Sequence, residues 1–155
     1  MFYNGWTEWC ESYLAGSAFA DYLRDPNVLG FFSDNEINFS SNSSRILDRF
    51  LAISNSSDPA YVAAKAFMDS KGTQSVTDDL NNEFAGIVAE KYYKAVKEAV
   101  KKVDDKLLYL GTRLHGTPKY MEGVVRAAGK YCDVISINYY SRCLLYTSPS
   151  PRDRS

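Results

Sequence analysis

Cysteine is scarce in this chain. Cys10, Cys132 and Cys143 are the only three, too few and too scattered for a disulfide framework or a metal knuckle. His115 is the single histidine, so no Cys/His cluster is available to hold zinc. No apolar run reaches the roughly 18–20 residues of a membrane span. The N-terminal stretch MFYNGWTEWC has no basic n-region and no long apolar h-region, and does not read as a signal peptide. The net charge of −1 gives no electrostatic case for nucleic acid or an acidic membrane surface. Phosphate chemistry is disfavoured too: no Gly-rich turn opens into a helix, since SDNEI lacks glycine and the two glycines of GTRLHG stand too far apart for a cradle. A Gly-x-Ser-x-Gly nucleophile elbow is also absent. Three sequons occur, at Asn38, Asn42 and Asn55, in a segment so rich in Ser and Asn that chance explains them.

What is present is an ordinary globular balance over 155 residues, 45% hydrophobic and 24% charged, enough for one domain with a real core. Aromatic content is high at 14%, with twelve tyrosines, which suits a carbohydrate-facing surface and an ordinary aromatic core alike. The end of the chain stands apart. Residues 143–153, CLLYTSPSPRD, resemble the conceptual translation of a transposase sequencing adapter, and the tail is Ser/Pro/Arg-rich without periodicity. Residues 143–155 are therefore expected to be a non-native tail, with the natural stretch ending near Arg142.

Hydrophobic periodicity orders the rest. Glu8 to Leu23 reads as a helix with Trp9, Tyr13, Ala20 and Leu23 on its apolar stripe, broken by Asp25-Pro26-Asn27. VLGFFS, 28–33, reads as a strand buried on both faces. A long loop, 34–58, follows, in which RILDRFLAI could make a turn or two of helix; so long a connection is usually functional. Asp58 caps a helix from Pro59 to Lys71 that Gly72 stops. Thr77 caps the strongest helix, Asp78 to Val103, whose apolar face carries Phe84, Ile87, Val88, Ala95, Val96, Ala99, Val100 and Val103. LLYLG, 107–111, is a second buried strand. Thr117 and Pro118 open a helix bearing Met121, Val124, Val125 and Ala128, closed by Gly129. CDVISINYY, 132–140, is the third strand. Strands alternating with helices mean βαβ units and a parallel sheet. Three strands are too few for a doubly wound sheet or a closed barrel, so the chain looks like a slice of something larger.

In parallel α/β architectures functional groups gather beyond the carboxyl ends of the strands. Three polar clusters meet on that rim: Asp34-Asn35-Glu36, then Arg113 and His115, then Asn138-Tyr139-Tyr140. A turn would account for Asp34 and Asn35 but does not ask for Glu36. A carboxyl group among hydrogen-bond donors and aromatic rings suits sugar chemistry. Glycoside hydrolysis needs one protonated carboxylic acid and a second carboxylate across the sugar. An acid usable near neutrality needs its pKa raised, and Phe31, Phe32 and Phe39 are candidate apolar walls for Glu36.

VLGFFSDNEINF resembles the fourth-strand motif of clan A retaining glycoside hydrolases, in which an Asn-Glu pair ends the strand and the Glu is the general acid/base. LLYLGTRLHG and YCDVISINYY resemble the fifth and sixth strands of the same barrels, closest to the β-agarase and β-galactosidase-like branch. The likeness runs over residues 8–140. It implies an α/β fold, a partial (β/α)8 TIM barrel of three parallel strands, with residues 1–142 an incomplete catalytic domain. It further implies Glu36 as the general acid/base and Asn35 as its sugar-binding neighbour. Arg113 and His115 would line the cleft, and Tyr139 with Asn138 would sit near the nucleophile. The expected partner is a carbohydrate, a galactose-containing poly- or oligosaccharide. No cofactor, metal, nucleic acid or membrane is expected. The clan's nucleophile is a seventh-strand Glu, and no Glu follows Glu122 here, so the chain as written is expected to be inactive.

Bland readings stand beside these. Asn35 could be a turn former, His115 a loop residue bonded to backbone, and Arg113 an ion-pair partner of Asp34. One of Tyr139 and Tyr140 should be core and the other rim. Trp6 and Trp9 are either a sugar platform or a helix-to-barrel contact. The rival to the hydrolase is a non-catalytic α/β binding domain in which the carboxylate is incidental. The two part on a second Glu at a later strand end of the complete gene and, more cheaply, on whether the three strand exits lie on one edge; Glu36, His115 and Tyr139 pointing to different faces would count against the hydrolase.

Overall fold

The computed structural model describes residues 1–16, 21–22, 24–40 and 44–140. Outside them lie the tail from 143 to 155 with Cys143, Arg142, the stripe positions Ala20 and Leu23, and the Asn42 sequon. The described elements are α1 (Trp6–Gly16), β1 (Gly30–Phe31), α2 (Ile46–Leu51), α3 (Pro59–Ser70), α4 (Asp78–Val103), β2 (Leu108–Tyr109), a 3-10 turn (Thr117–Tyr120) and α5 (Glu122–Tyr131). β1 and β2 are parallel, with Gly30 opposite Leu108 and Phe31 opposite Tyr109.

The caps work as their chemistry requires. The Asp58 carboxylate accepts from the Ala60 N–H with Pro59 in the first turn, and the Thr77 hydroxyl accepts from the Leu80 N–H. Lys71 ends α3, and Gly72 follows with φ +65°. α4 is the spine. It buries Phe84, Val88, Tyr92, Tyr93, Val96 and Val100 among others, and packs against α1, α2 and α5. Phe84 meets Phe2, Phe50 and Phe67 at ring-centroid distances of 5.3–6.2 Å, so one end of the spine is held by an aromatic cluster.

The third strand is the main correction. Residues 132–140 form only an isolated parallel bridge, Leu114 to Ile137, so there are two parallel strands among the described residues, not three. The reason is at Tyr109. Its N–H donates to the Asp133 carboxylate at 2.8 Å, and the Asp133 N–H returns a bond to the Tyr109 carbonyl at 2.9 Å. A side chain thus takes the place of a ladder carbonyl. Gly111, at φ +75°, carries the chain past Cys132. Backbone pairing resumes at Leu114, whose N–H donates to Ser136 and whose carbonyl accepts from Asn138. Lys97 and Lys101 lie 3.3 and 3.6 Å from the Asp133 carboxylate. The Tyr109 N–H, with the two lysines, holds this carboxyl below the usual aspartate range. Val134, Ile135 and Ile137 are exposed rather than buried.

Two smaller readings also change. Thr117 and Pro118 open a 3-10 turn, and α5 starts separately at Glu122. Gly129 does not close that helix, which runs two residues further. The glycines that matter to packing are Gly86 and Gly123, where α4 and α5 cross almost backbone to backbone. A Cβ on Gly123 would sit 2.5 Å from the Asn82 carbonyl oxygen and 3.0 Å from the Gly86 Cα. Gly123→Ala is therefore expected to force the two longest-contacting helices apart and to lose about 1–3 kcal/mol. Urea unfolding would read this as a lower midpoint at an unchanged slope, with Gly5→Ala, which meets nothing within 4 Å but keeps its φ penalty, as the contrasting strained control.

Candidate functional site

Beyond the strand ends, the chain is stitched by hydrogen bonds that leave little freedom in where side chains emerge. Ser33 N–H donates to the Gly111 carbonyl at 3.1 Å, and Glu36 N–H to the Thr112 carbonyl at 2.8 Å. The hydroxyls of Ser33 and Thr112 are seated on buried phenols: Ser33 on Tyr109 at 2.8 Å and Tyr92 at 3.0 Å, Thr112 on Tyr93 at 2.9 Å. The first loop, 34–36, and the second, 112–115, are consequently fixed to each other and to α4.

Glu36 is the centre of what results. Its Oε1 accepts from the Asn138 side-chain amide at 2.6 Å and from the Tyr140 hydroxyl. The Asn138 side-chain amide also donates to the Asn35 side-chain Oδ1 at 3.3 Å. The Tyr140 ring meets His115 edge-on, with centroids 4.8 Å apart. The Arg113 guanidinium lies over the Phe32 ring at 4.8 Å. Both Glu36 and Arg113 sit in the left-handed region, at φ +56° and +48°, where only Gly is comfortable. Arg113 Nε and His115 Nδ1 are buried with no hydrogen-bond partner among the described residues.

Of the residues marked from sequence, Asn35, Glu36, Arg113, His115 and Asn138 come together on one rim. Tyr139 does not join the network, so the expectation that Glu36, His115 and Tyr139 share one face holds for the first two and is not met at the third. Its ring lies 4.8 Å from the Lys119 ammonium, and Tyr140 takes the place beside Glu36. Both tyrosines are exposed, so neither is core. The signal for Tyr140 was in the strand period: positions 138 and 140 share a side and 139 faces the other way. The Asp34 carboxylate accepts from the adjacent Asn35 N–H at 2.7 Å, one residue on rather than the two of an Asx turn, and Arg113 stacks on Phe32 rather than pairing with Asp34.

The expected apolar walls are not there. Phe31 lies in β1 and packs against the core, Phe39 is fully buried against Tyr92 and Tyr93, and Phe32 is under Arg113. The hydrogen bonds from Tyr140 and then Asn138, helped by the charge of His115 and Arg113, hold the Glu36 carboxyl below the usual glutamate range. In this state Glu36 is a carboxylate at neutral pH. Two neutral donors favour its charged form, and in turn the contact with Glu36 raises the Tyr140 phenol.

Other features lie apart. Trp6, Trp9 and Tyr13 stack along one face of α1 at 5.3 Å spacing. Trp6 touches Tyr92, while Trp9 and Tyr13 are exposed and border a cleft of about 250 Å³ with Asp34. A larger groove, about 450 Å³, runs between α4 and α5. Three of its four acids are paired, Glu83 with Lys71, Glu90 with Lys130 and Glu122 with Arg126, and the fourth is Asp79. No cluster of His, Cys, Asp and Glu among the described residues could hold a metal, and no described helix is long and apolar enough to cross a membrane.

Solved structures resemble this arrangement. BpGH50 superposes with a TM-score of 0.85 at 62% sequence identity, over 91% of this chain and 32% of its own. An agarase, AgWH50C, gives 0.56 at 30% identity over 73% of this chain and 18% of its own. An exo-beta-agarase gives 0.61 at 26% over 75% and 21%. This chain thus spans about a third of BpGH50 and about a fifth of the other two. No family model and no curated protein sequence matches it.

The hydrogen bond from Tyr140 is the first cause of the lowered Glu36 value, so Tyr140→Phe is expected to move that pKa up, towards the ordinary carboxylate range. A ¹³C NMR titration of the Glu36 side chain would show it, and an unchanged or lower value would remove Tyr140 from the account. The sign for stability follows. A depressed folded-state pKa gives stability that is present above the unfolded glutamate value and is lost as pH falls through the folded one.

Proposed function

The chain is homologous to the GH50 glycoside hydrolases, agarases among them, over about a third of BpGH50, and from this we propose that it forms the central part of a retaining (β/α)8-barrel β-glycosidase acting on a galactose-containing poly- or oligosaccharide. Glu36 is the general acid/base in this reading. The observation that carries it is the Glu36 carboxylate itself, standing beyond the end of β1 and gripped by two side chains from the segment after the Leu114–Ile137 bridge, Asn138 and Tyr140. An incidental loop acid needs no such partners. Nor does it need a left-handed backbone, which costs about 1–3 kcal/mol and persists where function or packing over-determines it.

The ionised resting state has a place in the chemistry. An acid/base must carry a proton when the glycosidic bond breaks and be a base when water arrives. Sugar hydroxyls entering the rim compete for the Asn138 amide and the Tyr140 hydroxyl. As those donors turn to substrate, Glu36 loses what favours its charge and rises towards the value an acid needs. Asn35 and Asn138 then hold ring hydroxyls, contacts that strengthen at the oxocarbenium-like transition state. A retaining enzyme needs its second carboxyl group about 5–5.5 Å from the first. Glu122 is not that group, since it lies on α5 ion-paired to Arg126. The nucleophile therefore comes from outside this stretch, and the chain alone is expected to hydrolyse nothing.

A chimera carrying residues 1–140 in the matching third of BpGH50 supplies the rest of a barrel. There Glu36→Gln is expected to lower kcat on a polysaccharide by about 10²–10⁴-fold. The loss should be far smaller for bond cleavage in a substrate whose leaving group needs no proton, such as a dinitrophenyl glycoside. Equal losses on both substrates, or none, would take the acid role away from Glu36.

A further inference from the structure

We propose that Thr112 is a positioning residue for Glu36, fixing the backbone of the acid/base through a hydroxyl seated on the buried Tyr93 phenol; this deepens, and rests on, the glycosidase reading above. Glu36 is held first by its main chain. Its N–H donates to the Thr112 carbonyl at 2.8 Å, and its φ of +56° is left-handed. A non-glycine residue keeps that conformation where its surroundings over-determine it, so the acceptor must itself be immobile. The loop does not immobilise it. Thr112 stands in a turn between two further left-handed residues, Gly111 at φ +75° and Arg113 at φ +48°.

The side chain of Thr112 is the anchor. It is 1% exposed, Tyr93 is fully buried, and their hydroxyls meet at 2.9 Å. Tyr93 belongs to α4 and has its ring against Phe39, Tyr92 and Tyr109, so the phenol cannot follow a moving loop. A β-branched side chain has few χ1 choices. Pinning the Thr112 hydroxyl therefore fixes its backbone too, and with it the carbonyl that Glu36 uses. Both side chains are already sealed inside this chain, so the remainder of a barrel adds no partner to either. The other end of Glu36 is held differently. Asn138 and Tyr140 grip the carboxylate, and sugar hydroxyls compete for those donors in the reaction proposed above. The hold through Thr112 persists when the donors turn to substrate, the stage at which proton donation depends steeply on where the carboxyl stands.

Two measurements test this. In the full chain, NMR-detected hydrogen exchange should show the Glu36 amide exchanging roughly tenfold faster in Thr112→Val, which keeps the β-branch and removes the hydroxyl. Thr112→Ser should restore part of the protection. In the BpGH50 chimera, Thr112→Val should lower kcat/KM on the polysaccharide about tenfold, and far less on a dinitrophenyl glycoside, whose leaving group needs no proton. Tyr93→Phe should do the same from the other side. The double variant should lose less than the product of the single losses, since both break one bond. Gly123→Ala loosens the α4–α5 crossing instead and should leave the ratio between the two substrates unchanged. Equal losses on both substrates in Thr112→Val mean a merely structural role and overturn the inference; so does an unchanged Glu36 amide. A leaving-group difference present in Glu36→Gln and absent from Thr112→Val removes this inference and leaves the glycosidase reading standing. Its absence from Glu36→Gln removes both. Should Thr112→Val fail to fold by circular dichroism, Tyr93→Phe carries both measurements, and an unprotected Glu36 amide there is the result required.

Discussion

Three buried phenols determine where the strand ends stop. Tyr92 and Tyr93 come from α4 and Tyr109 from β2, and burial pushes all three well above the ordinary tyrosine range. They remain neutral and, being buried, must find hydrogen-bond partners. Those partners are the hydroxyls of Ser33, just before the first polar loop, and Thr112, the first residue of the second. The core thus reaches through the sheet and pins the exits from below. The Glu36 N–H bond to the Thr112 carbonyl closes the link from above. With both exits fixed, the side chains of 34–36 and 113–115 have few places to go, and the rim follows from the core rather than from the loops' own preferences.

The helical part of this scaffold was legible because its signals are local. Asp58-Pro59 and Thr77 carry their cap chemistry within three residues, and the helical period sustained over the 26 residues of α4 needs no tertiary information. The third strand was not legible, because what breaks it is a side chain 24 residues from its partner: the Asp133 carboxylate on the Tyr109 N–H. No pattern in CDVISINYY announces that exchange. The break between the 3-10 turn and α5 is of the same kind, since the Gly123 backbone is held against Asn82 and Gly86 on α4.

At the site, residue types were legible and partnerships were not. An acid beside amides and tyrosines at a strand exit could be read from the chain. Which tyrosine serves Glu36 depends on strand period, and the pairing of 138 with 140 was available there. The direction of the Glu36 pKa was not. Sequence offers phenylalanines near Glu36 as apolar walls, but Phe39 turns inward to α4 and Phe32 backs Arg113. The phenylalanines are adjacent in sequence to the carboxyl and serve other residues in space, and two donors 102 and 104 positions away set its charge.

The two left-handed residues tie these strands of argument together. Glu36 and Arg113 hold a backbone conformation that glycine takes freely and other residues take at a cost of about 1–3 kcal/mol. Relief would be simple: glycine at either position would relax the turn and keep the Glu36–Thr112 backbone hydrogen bond, which involves no side chain. The turn geometry alone therefore gives no reason for a side chain at 36 or 113. What a side chain adds is a carboxylate on one loop and a guanidinium on the other, each turned out of its strand towards the same rim. In a core built to seat both exits on tyrosine hydroxyls, the strain falls on the two residues whose chemistry the rim would lose if they were glycine.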